Sequence, residues 1–304
     1  MNIIEEYLKF PIVITGADGF VGRALNDKLQ NLGFQTICID SNPIFNETLK
    51  GDITSSKISI LIPENCIIVH LAAMSTDSMC RQNPISAIDI NMSGTINLVN
   101  IAIQKKCKQF IFASSEWVYG DTDKKIEKNE TSVIDISRLT SIYAITKAAM
   151  EPIINQMLSD TNSVILRFGI VYGPREKSWS AVERLLVDVS EKKVIEVGSL
   201  ENGRCFIYID DLVDGIISSF RAKGNQLFNL AGNQLVTLGN VIKTSAKILS
   251  KDPKIQELDS TKFVQRNLSN LKAKQVLSWE PKIDLHSGLK IIAKYLKLET
   301  EQNE

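Results

Sequence analysis

Apolar residues recur along this chain in two alternating patterns, short unbroken runs and longer stretches at helical spacing. Ile12, Val13 and Ile14 form a continuous β-branched run, as expected of a strand covered on both faces. Gly16, Gly19 and Gly22 follow, and a helix is predicted from Gly22 to about Leu32, with Gly33 as its C-cap. Phe34-Gln-Thr-Ile-Cys-Ile-Asp40 reads as a second buried strand, and Cys66-Ile-Ile-Val-His-Leu-Ala-Ala73 as a third. From about Pro84 to Lys106, Ile88, Met92, Ile96, Val99 and Ile103 recur at helical spacing, with Asn91 in the middle. Gln109-Phe-Ile-Phe-Ala-Ser-Ser115 is the next strand and ends in two serines. Strands that alternate with helices predict an α/β fold built on a parallel sheet.

The turn after the first strand carries chemistry. Glycines at its three positions remove side chains where the backbone folds back, where a pyrophosphate approaches and where helix meets strand. The helix N-terminus then offers free N–H groups and a positive dipole end to phosphates. A tight strand–helix turn without a ligand would use the same glycines. Asp40, at the end of the second strand, adds the other half of a dinucleotide fingerprint. Its carboxylate suits both ribose hydroxyls of an adenosine and repels a 2′-phosphate. Ser41, Asn42 and Pro43 follow it with no Arg or Lys, so the cofactor is read as NAD rather than NADP. Together these features predict a doubly wound Rossmann sheet. Gly51-Asp52-Ile53 could close over an adenine ring, although Asp52 serves equally well as a turn residue. The small residues after His70 let a flat ligand lie close to the backbone. His70, one of two histidines with His286, is read as a hydrogen-bonded core position rather than a catalyst.

Composition narrows the class. The 304 residues suffice for one large or two modest domains. Lys+Arg and Asp+Glu balance at 35 each, which gives no reason to expect nucleic acid or an anionic membrane as partner. Cys38, Cys66, Cys80, Cys107 and Cys205 show no C-x-x-C pairing and are read as buried free thiols in a reducing cytoplasm, with no metal site. The opening Met-Asn-Ile-Ile-Glu-Glu has no signal-peptide pattern. No apolar run approaches the ~20 residues that span a bilayer.

The sharpest chemical signal is Tyr143-Ala-Ile-Thr-Lys147 at the start of an apolar-periodic helix. Residues four apart share a helix face. A fixed ammonium on that face favours the phenolate, so Tyr143 is expected to act as a base near neutral pH. Ser115 could bond the same substrate oxygen. A Tyr and a Lys four apart are common on solvated helices; their position after a dinucleotide fingerprint and a Ser-ending strand gives the pair its weight.

With these motifs in order, the chain resembles the extended short-chain dehydrogenase/reductases of the NAD-dependent epimerase/dehydratase family. The likeness runs from Thr15-Gly-Ala-Asp-Gly-Phe-Val-Gly22 through Asp40, Asp52-Ile53, His70-Leu-Ala-Ala73, Asn91 and Ala113-Ser-Ser-Glu-Trp-Val-Tyr-Gly120. It continues with Tyr143-x-x-x-Lys147, Arg167-Phe-Gly-Ile-Val-Tyr-Gly-Pro174, Arg204-Cys-Phe-Ile-Tyr-Ile-Asp-Asp-Leu212, Phe228-Asn-Leu230 and Arg266-Asn-Leu-Ser-Asn-Leu271, and closes with Trp279-Glu-Pro281. The resemblance implies that Gly16, Gly19, Phe20, Val21, Gly22, Asp40, Asp52, Ile53, Leu71, Ala72, Ala73, Asn91, Tyr143 and Lys147 hold NAD. It makes Tyr143, Lys147 and Ser115 the catalytic residues. Ser115, Glu116, Arg204 and Arg266 would contact a nucleotide-sugar substrate, the arginines through its diphosphate. It also implies a Rossmann domain over residues 1–169, to which 206–250 largely return. A smaller sugar-nucleotide domain would comprise 170–205 and 251–304.

Three departures qualify the likeness. Dehydratases of the family place an acid pair after the catalytic Ser/Thr; here Glu116-Trp117 stands there, which argues against 4,6-dehydration. Ile170 occupies a position where many relatives carry Asn. Pro152 lies in the helix that relatives pack into a dimer bundle, where it removes a backbone bond and is expected to kink the helix. A homodimer is thus implied by the resemblance and opposed by Pro152. The favoured expectation is a cytoplasmic nucleotide-sugar 4-epimerase acting through a transient 4-keto sugar. A dehydrogenase or reductase acting at C4 stays open beside it, and less weight falls on a dehydratase or a non-catalytic NAD-binding protein. Substrate choice is expected to rest on loops near 75–83, 115–125 and 175–205.

Overall fold

The computed structural model describes residues 6–121, 126–158, 162–176 and 180–298. The first unit is β1 (Ile12–Thr15), α1 (Phe20–Asn31) and β2 (Thr36–Asp40). Gly33 closes α1 with φ +85°, a conformation that costs least without a Cβ. Then come β3 (Leu49–Lys50), β4 (Ile67–His70), α2 (Asp77–Gln82), α3 (Pro84–Ile88), a π-helical turn over Asp89–Gly94, and α4 (Thr95–Gln104). The single helix expected from 84 to 106 is thus interrupted. The Thr95 hydroxyl donates to the Asn91 carbonyl at 2.7 Å, and such side-chain bonds compete with the regular ladder.

Next are β5 (Gln109–Ser115), β6 (Glu127–Lys128), α5 (Ile142–Met157), β7 (Asn162–Phe168) and β8 (Val171–Tyr172). Helix α5 starts at Ser141, whose hydroxyl accepts from Ala144 N at 3.3 Å. The helix assignment continues through Pro152. The remainder is α6 (Ala181–Glu191), β9 (Val194–Val197), β10 (Gly203–Arg204), β11 (Ile207–Tyr208), α7 (Ile209–Ser218), β12 (Gln226–Leu230), β13 (Val236–Thr237), α8 (Leu238–Leu249), β14 (Lys254–Glu257), β15 (Gln265–Leu268), α9 (Leu271–Leu277) and α10 (Leu285–Tyr295).

A parallel seven-stranded sheet in the order β12-β7-β5-β4-β1-β2-β3 forms the centre. Strands β1, β4 and β5 are buried at every position, which explains their unbroken apolar runs. Strand order reverses beside β1, whose neighbours are β2 and β4. Thr15 pairs with Ile39 and His70, and Ser115 with Phe168, so the carboxyl ends of these strands share one edge. Open α/β sheets bind ligands at such a switch point.

A second sheet in the order β13-β10-β15-β6 lies at that edge. Residues 206–250, expected to return largely to the Rossmann unit, contribute strands to both sheets. Helix α7 packs on α1, and β12 completes the large sheet. Strand β13, however, pairs with β10, and α8 packs on α6 and α10. The buried stripe of Val241, Ile242, Ile248 and Leu249 on α8 shares one apolar core with residues of β1, α1, α6 and α10. All five cysteines are buried free thiols.

Candidate active site

The glycine turn is shaped by contact rather than by flexibility alone. Gly16 has φ +71°, and a Cβ there would lie 2.7 Å from Ala72 N. A Cβ on Gly22 would lie 2.3 Å from the Gly16 carbonyl oxygen. Both glycines let the turn close onto β4 and α1. Gly19 is the N-cap of α1 and brings no side-chain cap, so the first N–H groups are left for a ligand anion. Asp40 ends β2, its carboxylate accepting from Asp18 N at 3.3 Å and Asn42 N at 3.1 Å.

A cleft of about 770 Å³ opens over this edge. Gly16, Gly19, Phe20, Val21, Gly22, Asp40, Asp52, Ile53, Leu71, Ala72 and Ala73 line it, as do Ser115, Tyr143 and Lys147. The uncapped turn and the Asp40 carboxylate fit a pyrophosphate and an adenosine ribose, the two ends of a dinucleotide. Of the loops expected to set substrate choice, residues 122–125 and 177–179 lie outside the described residues.

At the far end, strand β5 and helix α5 bring three groups together. The Ser115 hydroxyl hydrogen-bonds the Tyr143 phenol and accepts from Trp117 N at 3.3 Å. Lys147 Nζ donates to the Ala113 carbonyl at 2.7 Å and stands 4.5 Å from the Phe112 ring centre and 5.9 Å from that of Tyr143. Burial opposes the expected phenolate in the protein by itself. Desolvation pushes Tyr143 up to about 12, with the Ser115 bond acting the other way. It pulls Lys147 down to about 7. In the protein by itself the amine, rather than the phenol, titrates near neutrality, because a buried site disfavours both charges.

Four expected site residues stand behind the cleft wall. Asn91 Oδ1 accepts from Met74 N at 2.8 Å, while Nδ2 donates to Met74 O and Thr146 Oγ1, both at 3.2 Å. It therefore holds the chain after β4 against α5 rather than facing a cofactor. Glu116 has no exposed surface; its carboxylate lies 3.2 Å from Arg204 Nε and 3.6 Å from Arg266 Nη1. Burial raises its pKa against the pull of both arginines. Arg204 also donates to the carbonyls of Gly203 and Val264, each at 2.7 Å. Arg266 donates to Gly120 O at 2.8 Å, pairs with Asp121 at 2.5 Å and stacks 4.7 Å from the Trp117 ring centre. The two arginines, in register on β10 and β15, are thus drawn to buried and loop carboxylates. Trp117, not Glu116, faces the cleft.

Some residues were not singled out from the sequence. Arg175 lines the cleft, donates to Glu183 at 2.8 Å and lies 4.3 Å over the Phe20 ring centre. Its signal was its place directly after Tyr172-Gly-Pro174. Ser114 donates to Glu151 at 2.6 Å, and Arg167 grips the same carboxylate at 3.0 and 2.6 Å. This buried pair ties β5, α5 and β7 beneath the tyrosine and lysine. No spacing rule links residues so far apart in the chain.

A Rossmann sheet whose phosphate-binding turn and Ser-Tyr-Lys cluster open into one cleft defines an NAD-dependent enzyme of the extended short-chain dehydrogenase/reductase type. The model of the NAD dependent epimerase/dehydratase family matches residues 12–231, and the chain belongs to that family. It is 26% identical to a UDP-glucuronate 4-epimerase of Thermodesulfobacterium geofontis over 91% of this chain and 93% of that protein. It is 24% identical to a UDP-N-acetyl-alpha-D-glucosaminuronate decarboxylase of Bacillus cytotoxicus over 93% and 96% of the two chains. The fold matches that of MoeE5, solved with UDP-glucuronic acid and NAD, at a TM-score of 0.84, with 22% identity over 94% of this chain and 99% of that one. No helix among the described residues is long and apolar enough to cross a membrane.

Proposed function

We propose that this chain is a nucleotide-sugar 4-epimerase. The observation that carries the reading is the convergence of Ser115, Tyr143 and Lys147 at the end of the cleft where Glu116 is withdrawn and Trp117 takes the wall. That arrangement provides for removing and restoring a proton on a sugar hydroxyl. It does not present Glu116 to the substrate for the acid–base work of dehydration.

Bound NAD supplies a hydride acceptor and donor for the sugar carbon, and a positive ring whose charge favours the Tyr143 phenolate. Tyr143 Oη takes the 4-hydroxyl proton as that carbon is oxidised and returns it when the 4-keto group is reduced. Ser115 Oγ bonds the same oxygen and holds it at hydrogen-bonding distance from the phenol. Lys147, anchored on Ala113 O, would hold the cofactor ribose and lend its charge to the site. Phe168, Ile170, Val171 and Trp117 form an apolar wall of the cleft, against which the keto sugar would turn to present its other face. Relatives named as epimerase and as decarboxylase both support a substrate of the UDP-sugar class.

The test incubates the full chain with NAD and a panel including UDP-glucose and UDP-glucuronic acid. NMR reads the sugar configuration, and absorbance reads the NADH band. A C4 epimer without net NADH is the expected result. Stoichiometric NADH with a released keto sugar would make the protein a dehydrogenase or reductase and overturn the proposal. Loss of the uronate carboxyl carbon as carbon dioxide would overturn it in favour of a decarboxylase.

A further inference from the structure

The acidic residue inside the glycine turn has a geometry that neither phosphate binding nor catalysis uses. Asp18 is half-buried and does not line the cleft. Its Oδ2 accepts from the backbone N–H groups of Ile44 and Phe45, the latter at 3.2 Å, and its Oδ1 from the Thr48 hydroxyl at 2.6 Å. Its own N–H donates to Asp40 at 3.3 Å. Burial acts to raise its pKa, but the bonds from Thr48, Ile44 and Phe45 hold the carboxyl below its ordinary range.

Residues 41–48 connect β2 to β3 without regular structure of their own. Ile44 is exposed, and Thr48, at 7% exposure, is the connection's buried end. Arg23 stacks 4.0 Å from the Phe45 ring centre and pairs with Glu47 at 2.5 Å, so α1 adds a second attachment. The start of the same connection, Ser41 and Asn42, lines the cleft beside Asp40. One carboxylate therefore ties the phosphate-binding turn to the loop that walls the ribose end.

We propose that Asp18 is a positioning residue for the dinucleotide: it clasps residues 41–48 onto the glycine turn and thereby sets both affinity for NAD and rejection of NADP. The inference rests on the placement of adenosine at Asp40. With the clasp closed, the Asp40 carboxylate stays against the ribose hydroxyls, and Arg23 stays neutralised by Glu47. A 2′-phosphate would meet the negative charge of Asp40. With the clasp open, the loop lifts, Arg23 gains freedom to meet a 2′-phosphate, and discrimination falls.

The test titrates NAD and NADP onto the full chain by calorimetry for wild type, Asp18→Ala and Thr48→Val. Asp18→Ala removes three bonds to a charged acceptor, so its Kd for NAD rises at least about tenfold. Its NADP-to-NAD ratio of Kd values narrows, and under turnover the loss falls on KM for NAD rather than on kcat. Thr48→Val removes one of the three bonds and shifts Kd in the same direction by less; this milder variant carries the test if Asp18→Ala fails to fold. Folded variants whose NAD Kd and NAD-to-NADP ratio equal those of wild type would overturn the clasp alone. NAD that failed to bind wild type would instead strike the reading of the cleft, and the clasp with it.

Discussion

His70 offers a sharp test of the site's foundations. It is 1% exposed and spans two threonines, with Nδ1 2.8 Å from Thr15 Oγ1 and Nε2 2.9 Å from Thr95 Oγ1. The Thr95 hydroxyl spends its proton on Asn91 O, so Nε2 donates to Thr95 and Nδ1 accepts from Thr15. Protonating Nδ1 would turn the Thr15 hydroxyl from donor to acceptor and bury a charge near Lys147. Desolvation first, and the Lys147 charge second, pull its pKa down to about 3. In the unfolded chain it titrates near 6.5. Between these values the unfolded state binds the extra proton and the folded state does not, so stability falls as pH falls. The slope is about 1.4 kcal/mol per pH unit, and the full window amounts to about 4–5 kcal/mol. Urea unfolding of wild type and His70→Gln from about pH 7 to about pH 4.5 isolates this contribution, since the carboxylates titrate alike in both. The variant starts less stable but loses less stability per pH unit. Equal slopes in the two proteins would refute the buried neutral imidazole.

Three further outcomes follow from the same geometry. Tyr143→Phe removes the proton-transferring oxygen and lowers kcat by about 10²–10⁴-fold while calorimetry still finds NAD bound; turnover at the wild-type rate would contradict the role of the phenol. Gly22→Ala forces a methyl against the Gly16 carbonyl at 2.3 Å and Ala17 at 2.8 Å, an overpacking cost of about 1–3 kcal/mol. NAD binding weakens by at least about tenfold, and unchanged affinity would show that the turn does not hold the cofactor. Glu151→Ala leaves Arg167 buried without its carboxylate and costs about 3–5 kcal/mol of stability, read as a lowered urea midpoint; a shift below about 1 kcal/mol would mean the pair is not desolvated.

What the sequence determined here is what depends on near neighbours. Ile12-Val-Ile14 matched a covered strand, and the three glycines after it matched a tight turn that could admit a phosphate closely. Ser115 at a strand end and Tyr143 four residues from Lys147 marked the candidate site, because helix and strand periodicities place such residues without knowledge of the rest. The tertiary structure decided what depends on residues far apart. It turned Glu116 away from the cleft, since Arg204 and Arg266, some ninety and one hundred and fifty residues on, converge on its carboxylate. It spent Asn91 on Met74 and Thr146, and it paired β13 with β10 of the second sheet. It also set burial against the expected pairing of ammonium and phenolate in the protein by itself. Spacing along a helix reports which side chains are neighbours, but their pKa values follow from how completely the assembled protein removes water around them.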